Sequence, residues 1–154
     1  MTRYPTQTKP HEPADTAAQH NRVLAALVMA VVVVSPPLVT VSRAVANLSV
    51  SAVAVTWGWA HGGTCDLHGD LTVTCESMHG GYANGGTTVG NVWLFGDLGG
   101  TERHRHESRH SDQWAMFGLA FPALYGAECV RTGGDYRQNV FEQWAGLHDG
   151  GYLP

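Results

Sequence analysis

Lysine is almost missing from this 154-residue chain, with Lys9 standing against eight arginines. No stretch is basic enough to neutralise a run of phosphates, which argues against nucleic acid as a partner. Glycine is scarce at the start: eighteen of the nineteen fall after residue 60, so turns concentrate in the later part. Charge is missing altogether for twenty residues between Arg22 and Arg43. Cysteine is limited to Cys65, Cys75 and Cys129, and no internal repeat is visible. The length fits one domain, or one small domain with an appendage.

What is present divides the chain in two. Residues 1–60 carry a net +2 and residues 61–154 a net −6. Residues 1–22 are polar and broken by Pro5, Pro10 and Pro13, the composition of a disordered tail. The uncharged stretch then opens with twelve unbroken apolar residues, Val23–Val34. As a helix, Val23–Val41 would be about 28 Å long, close to a bilayer's hydrocarbon core of about 30 Å. Ser35-Pro36-Pro37 would kink or end it, and Trp57 and Trp59 follow as interfacial aromatics.

Three membrane readings compete. One is a signal anchor over 23–58 that places the remainder outside the cytoplasm. Another is a cleaved signal peptide ending at Ala44-Val45-Ala46, and the third is a second span at Ala44–Ala60. The single anchor is favoured by span length and flanking charge. A buried core helix is disfavoured because Val23–Val34 has no polar face.

Cys65 and Cys75 bracket a hairpin, with a turn near His68-Gly69-Asp70 and a strand at Leu71–Cys75. In an exported domain these cysteines are expected to pair; in a reducing compartment they would be two partly buried thiols. Cys129 reads as a small core residue. Further on, an apolar strand is expected at Val89–Phe95 and a turn at Gly96–Gly100. A helix should run from Thr101 to about Phe117, broken near Gly118 and Pro122. A second helix is expected from Asn139 to about His148, closed by Gly150-Gly151. The fold class is α+β: a transmembrane helix, then over 61–154 a short antiparallel sheet, one long helix and a second helix.

The long helix carries His106-Glu107-Ser108-Arg109-His110, an H-E-x-x-H pattern. Residues four apart on a helix share a face with Cβ atoms roughly 5–6 Å apart, so both imidazoles can reach one ion. Glu107, about 100° further round, can reach a water on that ion without being a ligand. Such a site needs a third protein ligand. Glu142 lies 32 residues beyond His110, at the start of the second helix, and is preferred; Glu128, 18 residues beyond, is the fallback. Glu142 also fits the N3 place of a capping-box-like pair with Asn139. His104 is too close in sequence to join His106 and His110 on one ion.

Residues 86–152 resemble small membrane-associated bacterial proteins of the zincin-like metallopeptidase type. The matching residues are Gly86-Thr87-Thr88-Val89-Gly90-Asn91-Val92, then His106–His110 with Gln113-Trp114, and last Phe141-Glu142-Gln143-Trp144-Ala145 with Gly150-Gly151. The resemblance implies Zn2+ held by His106, His110 and Glu142, the gluzincin arrangement, with Glu107 as general base. Arg109 departs from the uncharged middle positions of that motif, and Asp112, Asp135 and Glu128 are its candidate partners.

The function expected is a membrane-anchored zinc metallopeptidase with its site outside the cytoplasm, acting on an extended peptide or protein. Tyr125, Tyr136, Arg137 and His148 are candidate oxyanion donors. Two other readings stand beside it: a metal-stabilised module without turnover, and a membrane adaptor whose histidines sense pH.

Overall fold

A computed structural model describes residues 36–83, 85–97 and 101–153. The polar tail and Val23–Val34, the most apolar part of the expected anchor, lie outside the described residues. The chain divides after Leu38, and Val39–Pro154 form one compact unit of mixed α and β structure.

Two helices come first, α1 (Pro36–Ala46) and α2 (Leu48–Ala60), bent by 68° where Asn47 joins them. Among the described residues no single helix is long and apolar enough to cross a membrane; only this bent pair passes on length and composition together. The corner has a polar cause. Arg43 and Asn47, one turn apart, are both buried. Arg43 donates to the Ser108 hydroxyl at 3.0 Å and pairs with Asp112 at 3.1 Å. Asn47 donates to Asn91 Oδ1 at 2.7 Å and to the Ser111 carbonyl at 2.9 Å. A buried polar group without such partners would cost about 1–3 kcal/mol, so these bonds fix the corner on the domain. On the other side Val45, Leu48, Val53 and Trp59 are exposed.

The hairpin forms as β1 (Thr64–Leu67) and β2 (Val73–Glu76), antiparallel with Cys65 opposite Cys75. The two cysteines are disulfide-bonded. Gly58 lets α2 lie on this bridge, because a Cβ there would stand 2.8 Å from Cys75 Sγ. The expected strand Val89–Phe95 is not one strand. A Gly90-Asn91 turn splits it into β3 (Thr87–Val89) and β4 (Val92–Leu94), which pair antiparallel. Gly90 has φ +62°, a left-handed conformation that glycine adopts without strain, and a Cβ there would meet Ser51 Oγ at 2.6 Å. The sheet is also mixed rather than antiparallel throughout: its order is β1-β2-β4-β3, and β2 runs parallel to β4.

The long helix α3 spans Thr101–Phe117, as its pattern predicts. After a single 3-10 turn, α4 (Phe121–Arg131) follows, a helix the pattern did not reveal. Pro122 stands in its first turn, where a missing amide donor costs nothing. The last helix, α5 (Val140–Ala145), stops at Gly146, shorter than the expected run to His148. One apolar cluster, Ala54, Cys75, Met78, Val92 and Leu94, joins α2 to the sheet. A second, Trp114, Phe121 and Phe141, joins α3, α4 and α5. Each such side chain contributes about 1.5–3 kcal/mol when fully buried. The second cluster holds α5 against the H-E-x-x-H helix.

Candidate metal centre

Three elements deliver the site. His106 and His110 project from α3, Glu142 from the first turn of α5, and Tyr125 from α4. Asn139 caps α5, its Oδ1 accepting from the Phe141 amide at 2.9 Å. This cap fixes where Glu142 points. The carboxylate lies 3.1 Å from His106 Nε2 through Oε2, and 3.6 Å from His110 Nε2 through Oε1. The two Nε2 atoms are themselves 3.1 Å apart. All three side chains are buried, and their ligand atoms lie within 4.8 Å of one another.

The outer nitrogens explain the inner ones. His106 Nδ1 faces the Gly146 carbonyl at 3.0 Å. His110 Nδ1 faces Gln113 Oε1 at 2.7 Å, and Gln113 is oriented by donating to the Phe141 carbonyl at 2.9 Å. Carbonyl oxygens only accept, so both Nδ1 atoms carry a proton and each ring turns its Nε2 inward. Two Nε2 atoms and a carboxylate then meet at one point. Glu142 Oε2 is fully buried with no hydrogen-bond donor, although His106 Nε2 is close by. A proton or a metal ion between them satisfies these groups. The group can hold a metal ion, and the acceptors behind both rings are of the kind that orient metal-bound histidines.

The charges follow from the same packing. Burial works against an ionised Glu142, but His106, His110 and Tyr125 gathered on it hold the carboxyl far below the usual range. Burial likewise works against an imidazolium at His110, yet the Glu142 hydrogen bond and the charges of Glu107 and Glu142 outweigh it and raise the ring's pKa. The Tyr125 hydroxyl donates to Glu142 Oε1, and burial followed by that contact pushes its own pKa up.

Glu107 faces a cavity of about 470 Å³ that is shared with His106, His110, Glu142, Trp114, and Tyr152. Its Oε2 accepts from the Thr88 hydroxyl at 2.6 Å, which ties it to β3, the edge strand. Thus His106, His110, Glu142 and Glu107 come together; helix spacing accounts for the first pair and Glu107, and Glu142 arrives from a separate element. Glu128 does not join them. It pairs with Arg131 at 2.7 Å and accepts from the Val140 amide, so it serves α4 and the start of α5. Arg109 pairs with none of its expected partners; it reaches Asp149 at 2.9 Å and the Ala145 carbonyl.

Of the expected oxyanion donors, Tyr125 is engaged by Glu142 and Tyr136 lines the cavity. Arg137 is paired with Asp135, and His148 is exposed. Sequence reasoning missed Tyr152, whose ring stacks on Tyr136 and stands 5.9 Å from His106. It also gave Gln113 no role. The i, i+3 step from His110 to Gln113 on one helix face was the available signal. No family model matches the chain, and no curated protein and no solved structure is similar to it.

Proposed function

We propose that this cavity is the active site of a zinc-dependent peptidase, held at a membrane with its folded unit outside the cytoplasm. The observation that carries the reading is the convergence of His106, His110 and Glu142 at the wall of a cavity that Glu107 also lines. Zinc bound tetrahedrally at about 2.0–2.1 Å keeps its ligand atoms about 3.3 Å apart. Here the two Nε2 atoms are 3.1 Å apart, Glu142 Oε2 is 3.1 Å from His106 and Oε1 is 3.6 Å from His110, and one ligand atom from each residue lies within 4.8 Å of the others, close enough to gather on one ion. A structural zinc site is closed by four protein ligands, whereas this one has three among the described residues and borders open space.

When bound, zinc supplies Lewis acidity, polarising a carbonyl and lowering the pKa of a water to about 7. Glu107, held by Thr88, would serve as general base and then acid, taking a proton from the attacking water and returning it to the leaving amine. Glu142 stays ionised, because its carboxyl is held well below neutral pH. Gln113 and the Gly146 carbonyl keep both imidazoles turned inward. Thr87, Thr88 and Val89 of the edge strand β3 line the cavity, where an extended peptide can lie, although the Thr88 carbonyl already accepts from Trp114 Nε1 at 2.9 Å.

Membrane attachment rests on the charge-free Val23–Val34 run and on the exposed apolar side of α1 and α2. The disulfide is consistent with an oxidising compartment. Glu107→Gln tests the activity. The variant is expected to keep its zinc and to hydrolyse peptides about 10²–10⁴-fold more slowly than wild type. A wild-type protein that binds zinc without hydrolysing any peptide would instead be a metal-stabilised module.

A further inference from the structure

Arg103 stands four residues before Glu107 on α3, so the two side chains leave the same face of the helix. It lines the same cavity as Glu107, His106, His110 and Glu142. Its Nη2 donates to the Gly150 carbonyl at 3.0 Å. Gly150 packs so closely on His106 that a Cβ there would stand 2.7 Å from the ring's Cε1. The guanidinium is therefore placed within one residue's width of a metal ligand.

No carboxylate of the described residues forms an ion pair with Arg103, although Glu107 lies one turn away. Among the described residues Arg43, Arg105, Arg109, Arg131 and Arg137 each pair with a carboxylate, and Arg103 pairs with none. A guanidinium offers five N–H donors in a fork that matches a carboxylate, and the Gly150 carbonyl engages only one side of it. Among the described residues it is also the only arginine or lysine lining this cavity, whose remaining walls are largely aromatic and apolar apart from Glu107, Glu142 and the two histidines.

We infer that Arg103 binds a carboxylate of the peptide ligand, one or two residues from the bond that Glu107 faces. The distance follows from scale: a helical turn rises 5.4 Å and an extended residue spans about 3.3–3.6 Å. The carboxylate comes from a free C-terminus or from an acidic side chain. That the ligand is a peptide rests on the peptidase reading; the preference for a carboxylate rests on Arg103 alone. The competing role is a clamp that merely holds Gly150 in place.

Calorimetry on the full-length, zinc-loaded Glu107→Gln protein in detergent separates these roles. The probes are acetyl-Ala-Phe, its C-terminal carboxamide, and acetyl-Asp-Phe carboxamide. At least one carboxylate probe is expected to bind tenfold or more tightly than the neutral carboxamide. Whichever does so names the source of the carboxylate. Adding Arg103→Gln, which retains an N–H for Gly150, should bring that ratio to about one and leave the neutral probe's affinity unchanged. Adding Arg103→Lys should preserve part of the preference. Equal binding of all three probes, binding of none, or an equal loss for all three with Arg103→Gln would overturn the inference. Selective binding by a protein whose wild type hydrolyses no peptide would remove the peptidase reading and leave Arg103 its role. Wild-type hydrolysis with equal kcat/KM on acid and amide would do the reverse.

Discussion

Glu142 and the two histidines define a buried site in which a proton or a metal ion can bridge the three groups. This has a pH consequence in protein stripped of metal. The Glu142 carboxyl is held below its ordinary value of 4.5, so its contribution to stability is complete above that pH and is lost as pH falls toward the lowered value. The His110 ring is raised above its ordinary 6.5, so its contribution is complete below 6.5 and is lost as pH rises through the raised value. Metal-free protein should therefore be most stable between about pH 4.5 and 6.5, as measured by urea denaturation. Zinc competes with the same proton, so its stabilising effect should grow as pH rises above that window. A metal-free protein whose stability climbs steadily from pH 6 to 8 would contradict the shared-cation picture. The histidine pair was legible in the sequence, since i, i+4 spacing on a helix encodes its own geometry. Arg109 was not, because its partner Asp149 lies 40 residues away and nothing local pairs them.

Helix α5 has only six residues and cannot hold itself together, since isolated helices shorter than about 12–15 residues are marginal in water. Its order comes from the Asn139 cap and from Phe141 packing between Phe117 and Phe121. Asn139→Ala should cost about 0.5–2 kcal/mol, lowering Tm by several degrees, and should weaken metal binding because Glu142 rides on that turn. Differential scanning calorimetry with and without metal checks both effects; a change in Tm with no change in affinity would mean that Glu142 is positioned by packing alone. The cap was legible as an Asn three residues before a Glu. Other elements were not. Gly118 and Pro122 mark a helix end equally well as the border between two helices, and so α4 stayed hidden. The Gly90-Asn91 turn was concealed inside an apolar run because the strands on either side of it have only three residues each.

At the scale of the whole molecule, two small clusters share the work of one core. The disulfide fastens the hairpin beneath α2, and the aromatic cluster gathers α3, α4 and α5. The hairpin and its bridge were readable from cysteine spacing, but the parallel pairing of β2 with β4 depends on contacts that no local pattern records. The bend at Asn47 escaped for the same reason: its cause lies in Asn91 and Ser111, far along the chain. The central claim is that the three buried groups exist to hold a metal ion. The most direct measurement is elemental analysis of the purified protein beside His110→Ala, with circular dichroism to establish that both are folded. The account predicts one equivalent of zinc per wild-type chain and a small fraction of that in the variant. Folded wild-type protein without stoichiometric metal, or equal metal in both, would contradict it.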